Sequence, residues 1–384
     1  MSVNPTESST MLEAVCTQKQ LSEAVQLVAH AVSDKTPLDI LKHVLVQSHE
    51  EGLVISGSDL ELGISMIIPA DVRRAGALTA PARLLSDLVS SLPDGEITLS
   101  CDRSHAVHVH IPGSDYRILG LPPEEYPTMP AVDDAVTFTI GEKLLKEACR
   151  QTLFAVLTES RGRPMLSGVL IDFEEDTAAF VSTDTVRLAL RRLPVQNGKG
   201  TARAIVPHRT MNELARALSD TGDVVVTISE KHIQFATSRE VTVTSRLIEG
   251  QYPAYQRVIP TTYRTRLTFH KEPLLQAVRR ADIFGRTAGN RVEFQTVQDK
   301  VVLQAESSTE GKAIEEVEVI REGDDIHTVF NARHILDALG AMDSEGVVMD
   351  LTDPTKAVVL RPSEKEEAEK VGEYLCVLMP LQLF

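Results

Sequence analysis

Apolar residues along the chain alternate between two spacings, and the alternation itself repeats. Helical spacing governs "TQKQLSEAVQLVAHAV", "GEKLLKEACRQTLFAV" and "HKEPLLQAVRRADIFG", where apolar side chains recur every three or four positions. It returns in "TAPARLLSDLVSSLPDGEITLS" from Thr79, in "AIVPHRTMNELARALSDTGDVVVTIS" from Ala204 and in "FNARHILDALGAMDSEGVVMDLTD" from Phe330. Each of the latter opens on a proline or small-residue cap and runs through a Gly-containing turn into an alternating strand. Between the helices, stretches such as "GLVISGSDLELGISM" and "TAAFVSTDTVRLALRRL" alternate with a period of two and predict strands of about five to eight residues.

These elements recur at thirds of the chain. Arg209 follows Arg83 by 126 positions and Arg333 follows Arg209 by 124, while Asp184 follows Asp59 by 125. The proline-punctuated turns "PEEYPTMP" and "GQYPAYQRVIP" place Tyr252 126 positions after Tyr126. Repetition on this scale marks one supersecondary unit used three times. The sequence therefore predicts an α+β chain of three units, each with two helices packed on antiparallel sheets. The units run over 11–130, 131–258 and 259–384, behind a flexible leader at 1–10, with Tyr126 and Tyr252 in the connections.

Composition narrows what such a chain does. The 384 residues are 42% hydrophobic and 24% charged, which is ordinary for a globular protein. No apolar run reaches the roughly 20 residues of a membrane span, and "MSVNPTESST" lacks the pattern of a signal peptide, so a cytoplasmic location is expected. Cys16, Cys101, Cys149 and Cys376 are scattered without metal or disulfide spacing. No phosphate loop, dinucleotide fingerprint, metalloprotease motif or nucleophile elbow is present, so neither a catalytic centre nor a cofactor is expected. The sharpest candidate for chemistry is "SHAVHVHI", where His108 and His110 share a strand face. A metal there would need a third ligand that the neighbouring sequence does not offer.

A net charge of −16 argues against nucleic acid unless the cations are segregated. They are enriched on the helices and adjoining loops, including Lys35, Arg83, Arg150, Arg163, His208, Arg209, Arg279, Arg280, Arg333 and His334. Acidic residues crowd strands and turns such as "DFEED" and "EGKAIEEVEV". The absence of Trp and an aromatic content of 4% disfavour stacking on single strands, leaving duplex backbone contact open. A scaffold that binds peptides and never meets DNA, and a metal-dependent hydrolase using the histidine pair, are the rival readings.

The stretches "EGQYPAYQRVIP", "STDTVRLAL" and "YLCVLMPLQLF" resemble motifs of the bacterial β sliding clamps, the processivity subunits of the replicative DNA polymerase, and the resemblance runs from Met11 to Leu383. Three departures stand out. Thr185 and Val186 replace a Gly-His pair common in that family, about ten residues are added at the N-terminus, and Phe384 extends the tail. The resemblance implies a non-catalytic head-to-tail dimeric ring around double-stranded DNA, binding it without sequence preference.

Helix packing agrees with two copies rather than one. Six units offering two helices each at about 10 Å spacing give about 38 Å across the helix axes and a hole of about 28 Å, against about 20 Å for duplex DNA. Three units would give about 19 Å at the axes and no usable opening. Lys35, Arg83, Arg150, Arg163, Arg209, Arg279 and Arg280 would then face DNA, while Ile118 and Leu119 would meet Ile283 and Phe284 of the second copy. The resemblance also implies a groove for short peptides of the polymerase catalytic subunit, the clamp loader, other polymerases and repair proteins. It would be formed by Leu166, Thr183, Arg187, Leu188, Pro253, Arg257, Val258, Val377, Met379, Pro380 and Leu381. "LQLF" at the C-terminus resembles such a peptide, so Phe384 is a candidate to compete for the groove.

Overall fold

A computed structural model describes residues 10–33, 35–127, 132, 136–159, 162–363 and 372–382. The helices are α1 (Gln18–Ala29), α2 (Ala82–Ser91), α3 (Glu142–Thr152), α4 (His208–Ala217), α5 (Lys271–Gly285) and α6 (Ala332–Gly340). They fall two to each third, at the places where the apolar period is helical. Their starts are set by local chemistry. The Thr17 hydroxyl accepts from Gln20 N at 3.3 Å, and Asn331 Oδ1 accepts from Arg333 N at 3.0 Å, which satisfies amides a new helix leaves orphaned. The expected leader ends one residue early, because Thr10 already opens the strand Thr10–Thr17 and pairs with Asp102. Met1–Ser9 and the Phe384 tail lie outside the described residues.

The chain forms two compact units, residues 1–142 with 216–247 and residues 143–215 with 248–384. In the first unit, five strands run in the order Asp71–Arg74, Thr10–Thr17, Glu96–Asp102, Ala106–Ile111, Ser114–Leu119. Its second sheet has eight strands. Val136–Gly141, Asp223–Ile228, His232–Thr237 and Val241–Arg246 continue into Leu62–Ile68, Gly52–Ser58, His43–His49 and Ala77–Pro81. Strands of the middle third thus extend a sheet begun by the first.

The second unit repeats the device. Thr201–Pro207, Gly168–Glu174, Thr177–Thr183 and Arg187–Pro194 join Glu373–Leu378, Val358–Pro362, Gly346–Leu351, Thr265–His270 and Ile320–Gly323 in nine strands. The seam is the pairing of Arg187–Pro194 with Glu373–Leu378, running from Arg187 opposite Leu378 to Arg192 opposite Glu373. A four-stranded sheet of Gly311–Glu318, Lys300–Ser307, Arg291–Val297 and His327–Asn331 completes the unit. Every named ladder is antiparallel, which lets each strand bury one face and wet the other.

The helices cover these sheets with their apolar stripes. In the first unit α1 packs on α2 and on the strands Gly52–Ser58 and Leu62–Ile68, burying Leu21, Ala24, Val25 and Val28. In the second, α5 packs on α6 and on Lys300–Ser307 and Gly311–Glu318, burying Leu274, Leu275, Ala277, Val278 and Ala281. Each such Leu or Val contributes about 1.5–3 kcal/mol by leaving water. Pro273 sits in the first turn of α5, where its missing N–H costs nothing. The four cysteines are buried and unpaired, and burial pushes the Cys101 thiol up to about 11 and that of Cys16 up to about 12. All four are core side chains rather than reactive thiols.

Candidate functional site

An apolar groove of about 480 Å³ lies in the second unit. Four short segments build it. The 3-10 turn Pro164–Leu166 supplies Met165 and Leu166, and the turn between Thr177–Thr183 and Arg187–Pro194 supplies Thr183, Thr185, Val186, Arg187 and Leu188. The connection after Gly250 supplies Gln251, Pro253, Ala254, Tyr255 and Val258, and the end of the last strand supplies Val377 and Met379. Gly250 has a φ of +137°, which only glycine adopts without strain, so it can turn the chain into this wall.

The walls are pinned from behind. Tyr252 donates to the carbonyl of Val181 at 3.3 Å, and Tyr255 donates to Asp172 Oδ2 at 3.2 Å. Burial pushes the Tyr252 hydroxyl well above its ordinary range. Leu166, Leu188, Tyr252, Tyr255, Val359, Leu375 and Val377 form the buried cluster beneath the floor. Arg187 is held almost out of solvent by Asp184 Oδ2 at 2.9 Å and Asp337 Oδ2 at 2.6 Å, its guanidinium 5.4 Å from the centroid of the Phe154 ring. Asp184 Oδ1 also accepts from Val186 N at 3.1 Å and Arg187 N at 2.9 Å, so one carboxylate closes the turn and fixes the arginine. Val186, Val258 and Met379 stay between 41% and 54% exposed and give the groove an apolar lip.

Thr185 has a φ of +85°, in the left-handed region where a β-branched residue is strained by about 1–2 kcal/mol. This is the position at which the family motif has glycine, so the departure in sequence is also a point of stored strain at the groove's edge.

Of the residues expected in a groove, Leu166, Thr183, Arg187, Leu188, Pro253, Val258, Val377 and Met379 meet around this cavity. Three do not. Arg257 lines a separate neighbouring cavity, Pro380 lines neither, and Leu381 is drawn off into a bridge with Val329, its N–H donating to that carbonyl at 2.7 Å. Met165, Thr185, Val186, Gln251, Ala254 and Tyr255 were not expected in the lining. Arg163, expected to face DNA, also lines this groove, in the stretch preceding the turn Pro164–Leu166.

The remaining cations sit as follows. Arg83 on α2, Arg209 on α4, Arg279 and Arg280 on α5, and Lys35 after α1 are exposed. Arg280 Nε lies 2.8 Å from Glu315 Oε1, and Arg150 on α3 is paired with Asp343. His208 and His334 are not cationic at neutral pH, because burial holds both below the usual imidazole range. Leu119 and Ile283 are 69% and 53% exposed, whereas Ile118 faces the core at 4% and Phe284 packs partly against the last third's core. His108 Nε2 lies 3.6 Å from Asp102 Oδ2, and no group of three or more metal-ligating side chains converges among the described residues.

Three family profiles match the chain in order. They are the N-terminal domain of the DNA polymerase III beta subunit over residues 12–130, its central domain over 139–254 and its C-terminal domain over 256–375. The chain belongs to this family. Beta sliding clamps of Halalkalibacterium halodurans and Streptomyces coelicolor are 30% and 31% identical to it, over 90% and 94% of this chain and 94% and 97% of theirs. A sliding clamp of Pseudomonas aeruginosa, solved bound to griselimycin, is 27% identical with a TM-score of 0.89 over 97% of this chain and all of its own. The clamp of Bacillus subtilis, at 24% identity, shares the fold with a TM-score of 0.91. A sliding clamp acting in replication as a DNA polymerase III beta subunit is therefore the function of the family to which this chain belongs. No helix among the described residues is long and apolar enough to cross a membrane.

Proposed function

We propose that two copies of the chain close head to tail into a cytoplasmic ring around duplex DNA. The ring tethers the polymerase catalytic subunit, the clamp loader, other polymerases and repair proteins by their short peptides, with no catalysis of its own. In this reading each copy contributes three units, over 11–130, 131–258 and 259–384.

The observation that carries the ring is a pair of open sheet edges. Among the described residues, Ser114–Leu119 ends the five-stranded sheet, pairing only with Ala106–Ile111, and Gly311–Glu318 ends the four-stranded sheet, pairing only with Lys300–Ser307. An edge strand offers unpaired amides and carbonyls to another chain. Each edge here also bears an exposed apolar residue, Leu119 at 69% and Ile314 at 59%, and Ile283 lies exposed on the helix packed against the second edge. Contact of one copy's first edge with the other's last edge, made twice about a two-fold axis, closes the assembly. Ile118 serves from within by buttressing Leu119's strand.

On DNA, Lys35, Arg83, Arg209 and Arg279 are the proposed phosphate contacts. Arg150 and Arg280 contribute more weakly through their carboxylate partners, which phosphate can displace because exposed ion pairs are worth about 0–1 kcal/mol. Arg163 is reassigned to the groove. Contacts of this kind are interchangeable, as sliding requires. The groove supports the partner reading, its fixed Pro253 and adaptable Met165 and Met379 suiting a short apolar peptide.

Two measurements test the ring. Light scattering at micromolar concentration is expected to give twice the chain mass, and Ile314→Asp is expected to yield monomers. Loaded protein is expected to stay on circular DNA in high salt and to run off linear DNA. Equal retention on both would refute linkage.

A further inference from the structure

Beside the groove lies a second cavity of about 480 Å³ with the opposite character. The two share Val258 and Met379 in their linings, so a segment leaving the groove at its apolar lip enters this cavity next. Its walls carry Arg257 and Lys356 with the hydroxyls of Thr261 and Thr355, and no acidic residue lines it. Both cations are exposed, and neither side chain makes a hydrogen bond or ion pair among the described residues. In the adjoining groove, by contrast, Arg187 is paired with Asp184 and Asp337.

Asp353 interacts electrostatically with Lys356 and with Arg264, and its carboxylate also builds a turn. Asp353 Oδ1 accepts from Thr355 N at 3.0 Å and Thr355 Oγ1 at 2.8 Å, which closes the turn that presents Lys356. The turn is further closed by Lys356 N donating to the carbonyl of Asp353 at 3.1 Å. Arg257 is presented in the same way by backbone, its N–H donating to the carbonyl of Ala254 at 3.1 Å within the 3-10 turn Tyr255–Val258. Two cations are thus held over one cavity, neither in a direct ion pair among the described residues.

We infer that this cavity receives acidic side chains of the same peptide whose apolar residues the groove anchors, with Arg257 and Lys356 as their counter-charges. The inference rests on the groove reading and adds a chemical preference to it: partners with Asp or Glu next to the apolar anchor bind better than those with neutral or basic neighbours. Continuity of the two linings favours a peptide over nucleic acid as the source of the negative charge.

The test uses the full chain and labelled, end-blocked peptides built on Leu-Gln-Leu-Phe, extended at either end by Glu-Glu, Gln-Gln or Lys-Lys, read by fluorescence anisotropy. The Glu-Glu peptide, in one of its two placements, is expected to bind about fivefold tighter than Gln-Gln at 50 mM salt, shrinking below about twofold at 500 mM. The readout is that ratio within each variant, and Arg257→Gln and Lys356→Gln are each expected to cut it by at least half. A ratio near one in both placements overturns the inference while leaving the groove reading intact. Failure of every peptide to bind removes the groove reading and the inference with it. A ratio unchanged in both variants, with weakened duplex DNA binding instead, reassigns the two cations to DNA.

Discussion

The molecule builds one junction twice and leaves only the second open. In the first unit the turn after Gly52–Ser58 has the Asp59 carboxylate accepting from Glu61 N at 3.0 Å and Leu62 N at 2.8 Å, with Leu60 at a φ of +76°. In the second unit the turn after Thr177–Thr183 has Asp184 accepting from Val186 and Arg187, with Thr185 at +85°. The strand after each turn pairs with a strand from the following third, and the latching bond recurs. Arg246 N donates to the Glu61 carbonyl at 2.9 Å, and Met379 N donates to the Val186 carbonyl at 2.8 Å. The side chains at this latch differ. Arg246 Nη1 reaches Glu61 Oε1 at 3.1 Å and ties the first junction across its top, whereas Val186 and Met379 stand exposed as apolar lips. Beneath the first junction Tyr126 packs with Ile40, Leu41, Leu45 and Leu121 in a small cluster, and beneath the second Tyr252 belongs to the larger cluster that floors the groove. A repeated backbone supplies the frame, and the choice of side chain at two latch positions separates a sealed seam from a binding site.

The strongest way to break this comparison is to graft one latch onto the other. Val186→Glu with Met379→Arg transplants the ion pair of the first junction to the second. We expect Leu-Gln-Leu-Phe peptide binding to weaken about 100-fold, about 2.8 kcal/mol, while stability changes by less than about 1 kcal/mol because both sites are surface-exposed. Anisotropy titration and urea unfolding on the same sample separate the two effects. Unaltered peptide affinity would mean that the lip does not decide access.

A smaller effect sharpens it. The two turn aspartates make matching backbone bonds, and Asp184 also holds a nearly buried arginine. Asp59→Ala should cost about 1 kcal/mol for lost turn bonds, and Asp184→Ala about 3 kcal/mol, because Arg187 then loses a partner while remaining largely desolvated. Urea midpoints at matched slope decide it. Equal costs would show that Arg187 is satisfied by Asp337 alone.

Much of this was legible in the sequence because turn chemistry is local. A tight turn favours a side chain such as aspartate that accepts from the backbone, and Tyr-Pro recurs in both connections, so Asp59 and Asp184, and Tyr126 and Tyr252, mark the repeat. Helix spans followed from apolar spacing for the same reason. The sharing of the middle third between two sheets left no such mark, since Val224 and Val169 alternate alike whichever neighbour they serve. The groove was found where a motif carried it and missed where it did not. Met165 and Gln251 line it because four distant segments converge, which no spacing along one segment encodes. Arg163 lines it as well, although charge alone grouped it with the cations of the helices and their loops, and burial, invisible in composition, keeps His208 and His334 neutral.

The finest difference between the junctions is acid sensitivity. His43 in the first junction is buried, its Nδ1 3.3 Å from Thr79 Oγ1 and its carbonyl accepting from Tyr126 at 3.4 Å; the register-equivalent residue in the second, opposite Pro207 as His43 is opposite Pro81, is Gly168. Burial holds the His43 imidazole below its ordinary range, with Asp39 pulling weakly the other way. Because the unfolded chain then binds the proton more readily than the folded one, the contribution of this group is complete above about pH 6.5 and is lost as pH falls below it. Hydrogen exchange at pH 7.5 and 5.5 is expected to show the strand His43–His49 losing protection on acidification, more than Gly168–Glu174 does after correction for intrinsic rates. His43→Gln should level the two strands. If the difference survives that substitution, the sensitivity arises elsewhere, and the two junctions are closer in their acid response than their side chains imply.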